Sequence, residues 1–234
     1  MQALILAGGL GTRLRDVVND RPKAMALVNG KPFLEYQIRF LKNNGIDDMV
    51  LSTGYMSEKI EEYFGRGKNH GVSIRYVKEE ELLGTGGAIK NAQGILHSQF
   101  FVLNGDSIFL VDINSMLKFH KSNHADLTLG LTKVRAKSRF GNVKINDKFQ
   151  VMEFVEKEST SGNLINGGIY IFKKDNFDWN VFPQKFSIEK EFFPNVVAKN
   201  RIFGFVSDSY FIDIGTVEDY EKFGKELSAG KIKL

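Results

Sequence analysis

Residues 1–32 read MQALILAGGLGTRLRDVVNDRPKAMALVNGKP, and this stretch decides the fold that the rest of the chain must complete. The apolar run from Gln2 to Ala7 is typical of a buried β-strand, and it leads directly into Gly8, Gly9 and Gly11. Glycines let backbone N–H groups approach an anion closely, and cationic side chains add charge-assisted hydrogen bonds. A strand that ends in such a loop predicts a binding site for a polyphosphate.

The polar residues of this loop distinguish it from two common phosphate loops. A Walker A loop needs Gly-Lys-Ser/Thr at the start of a helix, whereas this chain has Gly11-Thr12-Arg13, with Lys23 further on. The dinucleotide pattern G-x-G-x-x-G also fails, because Leu14 stands in place of its third glycine. On the glycines alone, an ordinary tight turn remains an alternative.

Composition narrows the class of protein. The chain has 234 residues, 42% of them hydrophobic, which suits one α/β domain with a substantial core. It has no cysteine, which excludes disulfides, thiolate catalysis and cysteine-based zinc sites. No apolar run approaches the roughly 18 residues of a membrane span, and the N-terminus lacks the basic start of a signal peptide. We therefore expect a cytoplasmic protein with no membrane partner.

The charge pattern bears on the choice of ligand. The net charge is +4, but the 32 lysines and arginines are spread among 28 acidic residues rather than gathered into a basic stripe. This pattern predicts no nucleic-acid partner and only a mild preference for anionic substrates.

The first half of the chain alternates strands and helices. The predicted strands are Ala3–Ala7, Met49–Thr53, Val72–Val77, Phe100–Leu103 and Leu127–Thr132. The predicted helices are Pro32–Leu41, Ser57–Phe64 with Ser57 as its cap, a short one within Gly84–Gly94, and Asp112–His120. Such alternation predicts an α/β fold with a doubly wound, mostly parallel, Rossmann-like sheet.

The second half of the chain has a different pattern of predicted elements, with more short strands. Short predicted strands at Gly141–Ile145, Val151–Val155 and Gly168–Phe172 are followed by a helix near Glu189–Val197, strands Ile202–Phe205 and Tyr210–Ile212, and a helix over Val217–Glu226. No Pro/Gly/Ser linker separates the halves. We expect a small β-rich insertion attached to the same sheet rather than a second independent domain.

Two acidic residues follow apolar strands. Asp106 comes after the strand that ends near Leu103, and Asp213 precedes Ile214-Gly215-Thr216. Ligands of open parallel sheets bind at the carboxyl ends of the strands, so the first-strand loop and the loops at 84–87 and 104–106, which all follow strands, can converge on one crevice. A carboxylate beside a phosphate site suits Mg²⁺. The alternatives are an Asx-type turn at Asp106 and, around Asp213, helix capping by Thr216.

Taken in order, these motifs resemble those of the sugar-1-phosphate nucleotidyltransferases, also called nucleoside-diphosphate-sugar pyrophosphorylases. G-G-x-G-T-R-L followed by P-K is the family's signature. Further matches are L-G-T-G-G-A at 83–88, G-D at 105–106, F-G at 140–141, F-V-E-K at 154–157, N-G-G-I-Y at 166–170 and D-I-G-T at 213–216. The resemblance covers nearly the whole chain and implies a nucleotidyltransferase (GT-A-like) fold.

The resemblance also implies a role for individual residues. The nucleotide would be bound by Leu6, Ala7, Gly8, Gly9, Gly11, Thr12, Arg13, Lys23, Gly84 and Thr85. The sugar phosphate would be bound by Asn104, Gly141, Glu156, Lys157, Asn166 and Gly167. Arg13, Lys23 and Asp106 would be catalytic, and Asp106 and Asp213 would hold Mg²⁺. Gly84 would let the base lie against the backbone. Taken alone, Glu156-Lys157 is an ordinary surface pair and Gly84 a helix-entry turn.

One stretch points to a subfamily. Residues 14–26, LRDVVNDRPKAMA, and residues 29–36, NGKPFLEY, are similar to bacterial D-glycero-D-manno-heptose 1-phosphate guanylyltransferases, although Leu27 stands where those enzymes commonly have proline. The resemblance implies GTP and a heptose 1-phosphate as substrates, for cell-surface polysaccharide synthesis. Guanylyl transfer to mannose 1-phosphate, thymidylyl or uridylyl transfer to glucose 1-phosphate, and a non-catalytic sugar-nucleotide sensor remain alternatives.

The resemblance further implies one catalytic domain over residues 1–234. Its nucleotide-binding part would span about 1–110 and its sugar-phosphate-binding part about 111–227. No hexapeptide-repeat β-helix follows, so we expect a stand-alone catalytic domain. The partners are then a nucleoside triphosphate and a sugar 1-phosphate, and a homodimer stays open.

Overall fold

The structure is a computed structural model that describes residues 1–11, 14, 17–133, 141–155 and 164–233. Its strands are β1 (Gln2–Leu6), β2 (Leu27–Val28), β3 (Lys31–Pro32), β4 (Asp48–Thr53), β5 (Ser73–Lys78), β6 (Gln99–Asn104), β7 (Ser107–Phe109), β8 (Leu127–Lys133), β9 (Asn142–Ile145), β10 (Val151–Val155), β11 (Leu164–Lys173), β12 (Ile202–Val206) and β13 (Phe211–Asp213). Its α-helices are α1 (Phe33–Asn43), α2 (Ser57–Phe64), α3 (Gly84–Ala92), α4 (Ile113–Ser122), α5 (Phe193–Val196) and α6 (Val217–Ser228).

Nine of the described strands form one sheet. Strands β6, β1, β4 and β5 are adjacent in that order and parallel, so that Leu4 is paired with Val102 on one side and Val50 on the other. Strand β11 lies antiparallel to β6 and carries β8 and β9, while β12 is parallel to β8 and β10 antiparallel to β9. The predicted doubly wound sheet is confirmed, and the β-rich second half joins it through β11.

The central strands are buried on both faces because helices cover both sides. Alternate residues of β1 face opposite layers: Ile5 packs in the layer of α1, α2 and α4, whereas Leu4 packs in the layer of α3 and α5. Both side chains are fully buried. Continuous apolar strands are what a parallel sheet with two covered faces requires, and this explains the uninterrupted apolar run at the start of the sequence.

Most of the predicted elements agree with the structure to within a few residues. The predicted cap at Ser57 is wrong. Met56 takes the N-cap position in a left-handed backbone conformation (φ 51°), and the Ser57 N–H donates to the Gly54 carbonyl at 3.1 Å. Ser57 is therefore already the first helical residue. The helix expected near Glu189 begins as a π-helical turn, Ile188–Phe192, before α5.

The carboxyl ends of β1, β5 and β6 lie at one edge of the sheet because these strands are in one parallel set. Strand β7 follows β6 directly in the chain and forms a separate two-stranded antiparallel ladder with β13, which pairs Ser107 with Asp213. The loop after β6 and the end of β13 are thereby neighbours. No helix among the described residues is long and apolar enough to cross a membrane.

Candidate active site

A cavity of about 560 Å³ opens at this edge of the sheet. It is lined by many of the residues predicted to bind nucleotide, sugar phosphate or metal: Leu6, Ala7, Gly8, Gly9, Gly11, Lys23, Gly84, Thr85, Asn104, Asp106 and Asp213. The loops after β1, β5 and β6 therefore converge, as the strand-end argument predicts. Gly141, Asn166 and Gly167 are described but do not line this cavity. Thr12, Arg13, Glu156 and Lys157 lie outside the described residues.

The glycines of the first loop have different physical roles. A Cβ at Gly8 would lie 2.3 Å from Oε1 of Glu79, and a Cβ at Gly11 would lie 2.6 Å from Cβ of Lys23. These two glycines are needed for close packing, and Gly11 also has a φ of 58°. At Gly9, by contrast, no described atom lies within 4 Å of the Cβ position. As far as the described residues go, there is open space beside the backbone at Gly9.

A lysine and two carboxylates meet beside the first loop, where Lys23 packs against Gly11. Nζ of Lys23 donates to Oδ2 of Asp106 at 2.7 Å, and it lies 3.4 Å from where a Cβ of Gly215 would be. Oδ1 of Asp213 lies 2.5 Å from that same point and accepts a hydrogen bond from the Gly215 N–H. The Ile214 N–H also donates to the carbonyl of Asp106 at 2.9 Å. Residues distant in sequence thus form one charged cluster.

These carboxylates fit a divalent cation. Mg²⁺ prefers hard oxygen ligands and is commonly held by one or two carboxylates together with substrate phosphates. The described residues contain no group of three or more potential metal-ligating side chains, so Asp106 and Asp213 would supply only part of a coordination shell. The Lys23 ammonium group lies against Asp106, so a bound Mg²⁺ would share that carboxylate with Lys23.

Glu79 also lines the cavity, although the sequence did not predict it as a site residue. It follows β5 and is only 8% exposed. Its carboxylate accepts hydrogen bonds from Oγ of Ser52 at 3.0 Å and from the Leu83 N–H at 3.1 Å. Burial raises the pKa of Glu79 despite these two donors. In the sequence it reads as the first of three consecutive glutamates, which is typical of a solvated surface.

The L-G-T-G-G-A segment is tied to the chain before α5. The N–H groups of Gly86 and Gly87 both donate to the carbonyl of Phe186, at 3.0 and 3.2 Å. At Gly84, which has a φ of 74°, a Cβ would lie 2.6 Å from the same carbonyl oxygen. The lack of a side chain at Gly84 is therefore explained by packing against Phe186 and by its backbone conformation. Contact of Gly84 with a base stays a prediction.

Thr85 links the same segment to a second missed acid. Oγ1 of Thr85 donates to Oε2 of Glu189 at 2.9 Å and accepts from the Ile188 N–H at 2.9 Å. Glu189 lines the cavity, and Oγ of Ser187 donates to it as well. Nothing in the sequence near residue 189 indicated a site, because the contact joins segments 104 residues apart.

The N-G-G-I-Y segment lies behind the cavity wall. Nδ2 of Asn166 donates to the hydroxyl of Tyr170 at 2.7 Å, and a Cβ at Gly167 would lie 2.4 Å from Cδ1 of Phe109. Tyr170 is fully buried, which raises its pKa, and its hydroxyl is also hydrogen-bonded to Asn104. Asn104 does line the cavity. Direct contact of Asn166 or Gly167 with a sugar stays a prediction.

A glycine loop, a lysine and two acidic residues lie together at the carboxyl edge of the parallel strands. This arrangement is typical of proteins that bind phosphate groups. Residues 2–229 match the family Nucleotidyl transferase, and the chain belongs to that family, which confirms the prediction from the motifs.

Similarity to individual proteins is also extensive. The chain is 47% identical to D-glycero-alpha-D-manno-heptose 1-phosphate guanylyltransferase of Aneurinibacillus thermoaerophilus, over 97% of this chain and 98% of that protein. It is 42% identical to the protein of the same name from Campylobacter jejuni subsp. jejuni, over 95% and 98%. The crystal structure of HddC from Yersinia pseudotuberculosis complexed with GMP-PN superposes with a TM-score of 0.84 at 36% identity, over 97% of this chain and 99% of that one.

Proposed function

We propose that this chain transfers a guanylyl group from GTP to D-glycero-α-D-manno-heptose 1-phosphate and releases pyrophosphate. The observation that carries the proposal is the 47% identity to a heptose 1-phosphate guanylyltransferase over almost the full length of both chains. The guanine nucleotide analogue bound to the structurally similar HddC supports the choice of GTP. The cavity at the carboxyl edge of the sheet supplies a place where two phosphate-bearing substrates could meet.

The reaction is a displacement at the α-phosphorus of GTP. An oxygen of the sugar phosphate forms a new P–O bond, the bond to the β-phosphate breaks, and pyrophosphate leaves with the electron pair. The attacking phosphate has a second pKa of about 6 and is already largely dianionic at neutral pH. The reaction therefore needs no general base, and no histidine is among the described residues that line the cavity.

The protein must instead align two anions that repel each other and offset their charge. We assign the β- and γ-phosphates to the backbone near Gly9 and Gly11 together with Arg13. Lys23 would bind the α-phosphate, and Lys157 the incoming phosphate. The buried stem of Lys23, whose side chain is 10% exposed, keeps its ammonium group in a narrow range of positions.

The proposed reaction also includes a divalent metal ion. Asp106 and Asp213 would hold Mg²⁺, which when bound offsets negative charge on the phosphates of both substrates. We also propose that the protein works in the cytoplasm, where GTP is available, and that its GDP-heptose product supplies the synthesis of cell-surface glycans.

A pyrophosphate-release assay tests this function. It crosses GTP, ATP, CTP, UTP and dTTP with heptose, mannose and glucose 1-phosphates, with and without Mg²⁺. Release only with GTP, heptose 1-phosphate and Mg²⁺ is expected. Preference for mannose 1-phosphate or for glucose 1-phosphate with dTTP or UTP would move the assignment to those alternatives. Failure of every pair would favour a sugar-nucleotide sensor.

Two variants show that the measured activity belongs to this site. Lys23→Met should lose pyrophosphate release, because it removes the ammonium group beside Asp106. Lys42→Met is the matched control. Lys42 is exposed, and its ammonium group donates to the carbonyl of His70, away from the residues that line the cavity.

A further inference from the structure

Gln37 lies at the middle of α1 and is only 1% exposed. Its Nε2 donates two hydrogen bonds of 2.7 Å each, one to the carbonyl of Asn104 and one to the carbonyl of Ser107. These carbonyls flank Gly105 and Asp106, so one amide group spans the turn that presents Asp106 to the cavity. The bonds join segments 67 and 70 residues apart in the sequence.

The orientation of this amide group follows from its surroundings. Both neighbours are carbonyl oxygens, which only accept hydrogen bonds, so the amide nitrogen must face them. The other end of the amide, Oε1 of Gln37, is buried and has no hydrogen-bond partner among the described residues. A buried acceptor without a donor destabilises a fold. An apolar side chain at this position would avoid the cost of the unpaired Oε1. The two hydrogen bonds that Nε2 donates are therefore the physical reason for an amide here.

The rest of the turn is held by backbone contacts. The Gly105 N–H donates to the carbonyl of Leu6 at 3.0 Å, and the carbonyl of Asp106 accepts from Ile214. A Cβ at Gly105 would lie 2.4 Å from that Leu6 oxygen, so the turn packs directly on the end of β1. Gln37 adds a contact from α1, because its side chain bonds to the carbonyls on both sides of the turn.

We infer that Gln37 is a positioning residue for the reaction. By fixing the carbonyls on both sides of Gly105-Asp106, it holds the Asp106 carboxylate where it meets Lys23 and where it would meet Mg²⁺ and substrate. This role rests on the proposed function. An error in the position of a reacting group of about 1 Å can slow an enzyme about 100-fold, which is why a residue outside the cavity can matter.

The first test compares Gln37→Met with Gln2→Met. Gln2 is a matched control, because it is also a fully buried glutamine, with bonds to Asp48 and to the His97 N–H at the other end of β1. Gln37→Met should lower kcat about 10- to 100-fold and raise the Mg²⁺ concentration for half-maximal rate, with the KM for GTP changed less. Gln2→Met should lower the melting temperature and leave these kinetic values within about twofold of the wild type.

The second measurement does not depend on activity. Hydrogen–deuterium exchange of residues 104–107 should become faster in Gln37→Met, because the turn loses two of its fixed points, and should stay unchanged in Gln2→Met. If the wild-type protein had no activity with any substrate pair, the proposed function would fail while this measurement still tested the contact. Unchanged exchange at 104–107 would refute the positioning role.

Gln37→Glu adds a pH signature that simple loss of stability would not produce. An ionised carboxylate cannot donate to the two carbonyls, whereas a protonated carboxyl group can donate to one. The activity of Gln37→Glu relative to the wild type should therefore rise as the pH is lowered from about 9 to about 6. A ratio that is flat with pH, or equal kinetic losses in Gln37→Met and Gln2→Met, would overturn the inference.

Discussion

The ammonium group of Lys23 lies 2.7 Å from the carboxylate of Asp106, although the two residues are 83 positions apart in the chain. The Lys23 side chain is 10% exposed and that of Asp106 is 37% exposed, so the pair lies at the boundary between protein and cavity. The attraction between two partly buried charges is stronger than between two charges in bulk water, and removal of either group would leave the other without its partner. Substrates that bind here must provide new partners for both groups.

Loss of the Lys23 ammonium group should impair turnover. Lys23→Ala removes the ammonium group assigned to the α-phosphate, so the expected penalty is about 2–4 kcal/mol of transition-state stabilisation, by analogy with the loss of an oxyanion donor. Steady-state kinetics of the purified variant measure it. Turnover close to that of the wild type would remove Lys23 from the mechanism.

Metal dependence should follow the two acids. Removal of divalent ions by a chelator should abolish pyrophosphate release, and added Mg²⁺ should restore it. Asp106→Asn and Asp213→Asn each weaken a hard anionic ligand, so each should need at least about tenfold more Mg²⁺ for half-maximal rate. Titration of the rate with Mg²⁺ measures this shift.

The control for the metal experiment is Asp112→Asn. Asp112 caps α4 through the N–H groups of Asn114 and Ser115, and asparagine is an equally good cap. Its Mg²⁺ requirement should match that of the wild type. The same requirement in all three variants would exclude Asp106 and Asp213 as metal ligands.

Local sequence rules predicted the parts of this site that depend on neighbouring residues. The apolar strand Gln2–Leu6 with its glycine loop, and the helix capped by Thr216, follow from periodicity and capping preferences that act over a few positions. The convergence of the loops after β1, β5 and β6 follows from the rule that strand ends meet at one edge of a parallel sheet. Asp213 reaches the same place through the antiparallel pairing of β13 with β7.

Other features of the site depend on contacts that no local pattern encodes. Gln37 reads as one polar residue of an amphipathic helix, yet its amide lies between two carbonyls of the Asp106 turn. The glycines at 84, 86 and 87 read as a loop for the base, yet Phe186 and Gln184 occupy the space beside them. Such relationships are set by which surfaces pack together, and the sequence signal for them is spread over more than 60 residues.

The contact between Gly86 and Phe186 should not tolerate a methyl group. A Cβ at Gly86 would lie 2.2 Å from Cε2 of the Phe186 ring, which is buried. Gly86→Ala should therefore destabilise the protein by about 1–3 kcal/mol through overpacking. Denaturant unfolding measures the change, and replacing the ring in Gly86→Ala/Phe186→Leu should recover part of it.

Gly94→Ala is the matched control for that change. No described atom lies within 4 Å of its Cβ position, so the added methyl group has room. It should be neutral or slightly stabilising, since alanine restricts the unfolded chain. Equal destabilisation by Gly86→Ala and Gly94→Ala would show that the loss comes from the helical backbone and not from the aromatic ring.

The stability of the fold should fall in mild acid because of His120. This side chain is fully buried between α4 and β8, where Nδ1 lies 2.8 Å from Oγ1 of Thr128, and burial lowers its pKa from 6.5 to about 4. Lys121 and Lys173 also disfavour the charged ring, while Asp126 favours it. Because the folded pKa is the lower one, the unfolded chain takes up a proton first as the pH falls.

The contribution of His120 is therefore complete above pH 6.5 and is lost progressively towards pH 4. The shift corresponds to a loss of up to about 3 kcal/mol. Urea unfolding at several pH values should show a shallower acid dependence for His120→Gln than for the wild type, because glutamine can still bond to Thr128 but does not titrate. His124→Asn, an exposed position with a φ of 47° that asparagine tolerates, should keep the wild-type slope. Parallel slopes for the wild type and His120→Gln would mean that the acid sensitivity comes instead from carboxylates whose pKa is lowered in the folded state, such as the buried Asp126.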